Sequence, residues 1–169
     1  ILGFVHWAMR FFDGKNFGIC GKTISSTERN IILPLLNMPD ITDYYSLQYI
    51  RGENKRIIVR SGSHTNTFFI FGGKDESSYT LVQGITLSGV LFDEVALMPK
   101  SFVDQAVARL RKSKYSFELL FLEASDQVLL KRYKETRRIH PLSTDGDLMK
   151  GITQERALLA SIREQADYV

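Results

Sequence analysis

Apolar residues Leu2, Val5, Met9 and Phe12 recur three or four apart, which predicts an amphipathic helix over Ile1–Phe12, stopped by Asp13-Gly14. Lys15–Cys20 is a short apolar strand, and Gly21-Lys22-Thr23 reads as the loop that leaves it. Ser25 and Ser26 have N-cap chemistry for a second helix over Thr27–Leu36, with Ile31, Ile32, Leu35 and Leu36 on one side and Pro34 bending or ending it. Tyr45–Ile50, Arg56–Arg60 and Thr67–Phe71 are rich in Tyr, Ile, Val and Phe, and turn residues separate them. They predict an antiparallel meander. Gly72-Gly73 ends it, a polar helix-sized stretch Asp75–Gln83 follows, and the apolar strand Ser88–Phe92 closes on Asp93-Glu94.

Beyond this point strands and helices alternate. Phe102, Val103, Ala106, Val107 and Leu110 mark an amphipathic helix, and Phe117–Leu122 (FELLFL) has the continuous apolar character of a buried strand. Ser125-Asp126 caps a helix with Val128, Leu129 and Tyr133 on its apolar side, His140-Pro141-Leu142 breaks it, and a long helix spans about Asp147–Gln165. The expected fold class is α/β: a mainly parallel sheet flanked by helices, with an antiparallel strand extension over about 45–71. Ile1 is already inside a helical pattern, and Ala166–Val169 reads as the opening of a strand, so the chain is expected to be a fragment or an assembly of parts.

Composition narrows the class. With 169 residues, 44% hydrophobic and 24% charged, the chain has the make-up of one globular domain, which excludes disorder, collagen and coiled coil. Its one cysteine, Cys20, cannot form an internal disulfide, and no apolar run approaches the roughly 18–20 residues of a bilayer span. A cytoplasmic protein without a membrane partner is the expectation. A net charge of +3 permits a polyanionic partner without requiring one, so nucleic acid must be argued from a site.

Three constellations carry candidate chemistry. Gly89-Val90-Leu91-Phe92-Asp93-Glu94 is a hydrophobic strand ending in two carboxylates, the Walker B arrangement, in which Asp93 would serve Mg²⁺ and Glu94 would polarise an attacking water. A solvated acidic turn after a strand is the alternative. Gly21-Lys22-Thr23 invites a phosphate-loop reading with Lys22 and Thr23 as ligands, but G-x-x-x-x-G-K-[ST] needs glycine at position 16, where the chain has Asn16. A Walker A strand and loop are therefore not spelled out, and a tight turn with a solvated lysine is the plainer reading. Lys131–His140 is basic, and Arg132, Arg137 and Arg138 could reach a phosphate of a nucleotide or of RNA, or form a solvated face partly paired to Glu135. His6, His64 and His140 are too scattered for a metal site, and no Ser-His-Asp arrangement follows from spacing.

Two families are then recognisable. FVHWAMRFFDGKNFGICGKTISSTERNIILPLL and QGITLSGVLFDEVALMPKSFVDQAVARL resemble the ATPase domain of PBSX-type phage terminase large subunits, covering residues 1 to about 112. That resemblance implies a P-loop NTPase fold, ATP or GTP with Mg²⁺, the metal role at Asp93 and the catalytic glutamate at Glu94. It also places the family's Walker A loop before the helix beginning at Ile1, and implies double-stranded DNA and other packaging-motor subunits as partners. FELLFLEASDQVLLKRYKETRRIHPLS and ITQERALLASIREQADYV, within about 113–169, are similar to the nucleotide-binding domain of the RapZ family of RNase adapter proteins. That family implies a P-loop core too, and RNA and partner binding through a further domain. Together the two resemblances imply a single hybrid NTPase-like domain over 1–169, natural or engineered, with hydrolysis impaired for want of a Walker A.

Overall fold

The computed structural model describes residues 1–52, 54–74, 85–112, 117–136, 139–143 and 146–169, with the side chains of 109–112 excepted. The chain forms two compact units, Ile1–Ala108 and Arg109–Val169. The expected helix over Asp75–Gln83 lies outside the described residues.

In the first unit, α1 (Leu2–Phe11) buries Val5, Ala8 and Met9, the stripe that the apolar spacing marks. The chain turns through Asp13 and Gly14, whose φ of +65° suits glycine, into β1 (Asn16–Gly21). Next come α2 (Ile24–Thr27), a π-helical turn (Glu28–Ile32), α3 (Leu33–Leu35) and α4 (Pro39–Thr42). The π turn lies immediately before Pro34, whose ring crowds the carbonyl four residues back, so widening the helix there relieves the clash that a regular α-helix would meet. Thr23, not Ser25 or Ser26, is the N-cap of α2: its hydroxyl accepts from the Ser26 N–H at 3.0 Å, and Ser26 reciprocates as the third helical residue.

The strands β2 (Ser46–Ile50), β3 (Arg56–Ser61), β4 (His64–Gly72) and β5 (Gly89–Phe92) join β1 in one sheet ordered β2-β3-β4-β1-β5. β1 runs parallel to both β4 and β5, while β2, β3 and β4 form the antiparallel extension that the meander predicts. The core gathers on one face, where Phe17, Ile19, Ile57, Val59, Phe68 and Ile70 meet Val5, Ala8 and Met9 of α1 with Ile32, Leu35 and Ile41. On the other face, Phe102, Val103, Ala106 and Val107 of α5 (Lys100–Lys112) are buried.

Buried Asn66 ties α1 to the sheet. Its side-chain N–H groups donate to the carbonyls of Ala8 (3.1 Å) and Phe12 (2.8 Å), and its Oδ1 accepts from the Lys15 N–H at 2.9 Å. The Phe12 carbonyl lies just past the end of α1, where intrahelical donors run out, so this amide satisfies what the helix cannot.

The second unit contains α6 (Asp126–Thr136) and α7 (Leu148–Arg163). Ser125 caps α6 through its Oγ, accepting from Val128, as the sequence leads one to expect, and Asp147 caps α7. The apolar run Phe117–Leu122 does not form the buried strand expected of it. Among the described residues it makes one parallel bridge, Leu120 to Tyr168, and Leu120 and Leu122 are exposed. A parallel strand gains its stability from ladders on both edges and cover on both faces, and within this unit only the segment around Tyr168 pairs with it among the described residues.

Replacing Asn66 by Ala should lower stability by about 2–4 kcal/mol, since three hydrogen bonds are lost and buried partners are left unsatisfied. Urea unfolding of both proteins checks this, with α1 the first element to lose hydrogen-exchange protection.

Candidate functional site

The carboxyl ends of three neighbouring parallel strands lie side by side in the first unit. β1 ends at Gly21, β4 at Gly72 and β5 at Phe92, with Cys20 opposite Phe92 and Gly21 opposite Gly72. The chain stays in register just past them: the Gly73 N–H donates to the Gly21 carbonyl and the Asp93 N–H to the Cys20 carbonyl, both at 2.8 Å. Open α/β sheets commonly bind ligands at this edge.

Glycine permits the arrangement. A Cβ on Gly21 would collide with Oγ1 of Thr27, and one on Gly72 would lie 2.8 Å from the backbone nitrogen of Ile24. The first turn of α2 therefore rests directly on the strand ends. A Cβ on Gly73 would lie 2.9 Å from the ring of Phe102, which brings α5 equally close.

Asp93 and Glu94 occupy the end of β5, beside the β1 loop that carries Lys22 and Thr23. Burial pushes the Asp93 carboxyl above the usual carboxylate range, partly offset by a hydrogen bond from the Glu94 N–H. Because α1 precedes β1 through a tight turn, it begins at the edge where β1 ends. The first turn of α1 has no side-chain cap. Glu94 is exposed and holds φ of +53°, the left-handed conformation that non-glycine residues seldom adopt, before a 3₁₀ turn over Val95–Leu97.

Lys22 is exposed, whereas the Thr23 hydroxyl is engaged in its cap with Ser26. Buried Cys20 has its thiol pushed up to about 12 by burial, which makes it an unreactive core residue. Among the described residues no group of three or more His, Cys, Asp and Glu side chains could hold a metal. A half-buried carboxylate with hard oxygen donors nevertheless fits Mg²⁺, which takes one or two protein carboxylates and completes its shell with phosphate and water. The ion's charge would also offset the burial cost that Asp93 carries.

The second unit holds a polar cluster that sequence reading missed. Arg163 forms a bidentate pair with Glu123 at 3.0 and 2.9 Å, and Arg156 reaches Glu123 at 3.3 Å, Asp126 at 2.6 Å and the Ala124 carbonyl at 2.8 Å. The Arg163 hydrogen bond, with the charge of both arginines, holds the Glu123 carboxyl below its ordinary range. Glu123, Arg156 and Arg163 border a cavity of about 340 Å³, lined also by Leu129, Ile152 and Leu159. The seven-residue spacing of Arg156 and Arg163 along one helix face was the available signal. His140 is buried and bonds Glu155 of α7 at 2.8 Å, and Gly151 leaves room for its ring. Arg132 is exposed on α6, where Lys131 lies 3.9 Å from Glu135; Arg137 and Arg138 lie outside the described residues.

Comparison with known proteins divides the chain in the same sense. The family profile of the RapZ-like N-terminal domain matches residues 91–169, beginning within β5 rather than near residue 113. A nucleotide-binding protein of Acetivibrio thermocellus is 60% identical over 60 residues, 36% of this chain and 21% of that protein. A nucleotide-binding protein of Clostridium beijerinckii is 46% identical over 81 residues, 48% of this chain and 25% of that one. The N-terminal part is similar in structure to the large terminase of a thermophilic bacteriophage, with a TM-score of 0.58 and 50% identity over 64% of this chain and 26% of that one. The same terminase in complex with ADP gives a TM-score of 0.57 at 47% identity, again over 64% and 26%. In complex with ATP-gamma-S it gives 0.56 at 42% over 68% and 26%. The chain thus joins a terminase-like part to a RapZ-like part, and it spans about a quarter of the length of these proteins. Among the described residues no helix is long and apolar enough to cross a membrane.

An Asp whose carboxyl is raised by folding stabilises the fold relatively at low pH and loses that contribution as pH rises through its folded value. Asp93→Asn should therefore melt at a higher temperature than the wild type at pH 7, and the gap should close below about pH 4. Thermal melts across this range check it.

Proposed function

We propose that the strand-end edge of the first unit is a nucleotide site of the phage terminase large-subunit type, with Mg²⁺-dependent hydrolysis of ATP or GTP as its activity. The observation that carries this reading is the placement of Asp93 and Glu94 at the end of β5, against the end of β1 and at the edge where α1 begins. Bound Mg²⁺ would supply charge neutralisation of the phosphates. Asp93 is the carboxylate that would hold it. The backbone conformation of Glu94 sets its exposed carboxylate just beyond the strand, where it can accept a hydrogen bond from a water and orient it toward the terminal phosphate. Lys22, exposed on the neighbouring loop, can add positive charge on the phosphate side. Thr23 contributes by capping α2 and so fixing the course of that loop.

The phage terminase named in complex with ADP and with ATP-gamma-S supports a nucleotide for this part, and the curated relatives named as nucleotide-binding proteins support one for the RapZ-like part. On this reading double-stranded DNA and further motor subunits are the partners of the terminase-like half, and RNA a partner of the other half through Arg132, Arg137 and Arg138. A second reading, a nucleotide-binding module without turnover, is favoured by the engagement of the Thr23 hydroxyl in its cap, which leaves Lys22 without a neighbouring hydroxyl ligand.

Glu94→Gln separates the two. If Glu94 orients the water, phosphate release should fall by about two to four orders of magnitude with nucleotide binding kept. Equal phosphate release by wild type and variant, at the uncatalysed rate, establishes the silent module.

A further inference from the structure

The face of the antiparallel extension that turns away from the core carries two arginines among neutral and apolar side chains. Register places three rows of side chains on it: Ile50, Arg56 and Phe69; Gln48, Ile58 and Thr67; Ser46, Arg60 and Thr65. Their neighbours Tyr49, Ile57, Val59 and Phe68 point the other way into the core. Ser46 and Gln48 are exposed, and the other seven are partly so.

Both arginines are charged donors without a carboxylate within ion-pair distance among the described residues. Arg56 bonds the Asn54 carbonyl at 3.0 Å and Arg60 the Gln48 amide oxygen at 3.1 Å, neutral acceptors that leave the positive charge uncompensated. The nearby cation Lys55 differs, being paired to Glu28 at 2.6 Å. Asp13 approaches the far end of the face, where its carboxylate accepts from the Thr65 N–H. Four residues along one strand set Arg56 and Arg60 roughly 13 Å apart. Between and beside them lie neutral donors, the aliphatic Ile58 and the ring of Phe69.

We infer that this face is a docking surface for single-stranded nucleic acid. The two guanidinium groups would take phosphates about two nucleotides apart, while Ile58 and Phe69 offer apolar surface on which bases can lie. A single strand is favoured over a duplex because a groove about 12 Å wide admits a helix or a two-stranded ribbon, whereas this surface is three strands across. It is favoured over an acidic peptide because the apolar residues sit between the charges, where a carboxylate-rich chain has nothing to place.

Fluorescence anisotropy with a labelled 12-nucleotide single strand, at several salt concentrations, tests the inference on the full chain. Wild type should bind, and Arg56→Ala/Arg60→Ala should weaken binding by at least about fivefold and reduce the slope of log affinity against log salt by about 1.4. Thermal melting must show the double variant folded, and Arg56→Lys/Arg60→Lys should restore most of the slope. Arg29→Ala, which removes an exposed cation from the π-helical turn, should leave binding unchanged. The inference is overturned if wild type fails to bind, if the folded double variant binds as wild type does, if a duplex of the same length binds more tightly and loses that affinity in the double variant, or if polyglutamate of equal charge displaces the strand as well as unlabelled oligonucleotide does.

Discussion

The first unit depends on β1 being paired on both sides while its last residue has no side chain. β1 is buried along most of its length between β4 and β5, which fixes the three strand ends at one level. The missing Cβ at Gly21, and again at Gly72, lets the turn leading into α2 close over those ends. Lys22, Asp93 and Glu94, the residues of the proposed site, take their positions from that pairing. A larger residue at either glycine would push α2 off the strand ends and move the Lys22 loop away from the acidic pair.

The same edge reconciles packing with chemistry. A half-buried Asp93 costs stability when ionised, and a left-handed Glu94 is an uncommon backbone state for its residue type. Both features stand at the end of the four-residue apolar strand β5. In the proposed site, a cation at Asp93 and a water at Glu94 would use both.

Much of the first unit was legible from spacing alone. α1, β1, the meander and α5 follow from periodicities that burial rewards directly, and the acidic pair after β5 was readable because a strand end fixes where it points. The cap was not, since Thr23, Ser25 and Ser26 share the same capping chemistry and the close approach of α2 to Gly21 and Gly72 decides among them. FELLFL misled because apolar composition states what a segment can bury, whereas pairing depends on partners distant in the chain. The seven-residue spacing of Arg156 and Arg163 marks one helix face, but the carboxylates they meet, Glu123 and Asp126, lie some 30–40 positions away, a relation that spacing does not carry. The family match beginning at residue 91 takes in Asp93 and Glu94, which lie also in the terminase-like stretch, so the two resemblances overlap at the acidic pair.

Isothermal titration of the full chain with ATP and Mg²⁺, set beside Asp93→Ala and Lys22→Ala, tests the account most directly. Micromolar binding, roughly −8 kcal/mol, that is lost with Asp93→Ala and weakened with Lys22→Ala is the predicted result. Absence of binding by the wild type, or binding that neither substitution alters, would contradict a nucleotide site at the ends of β1 and β5.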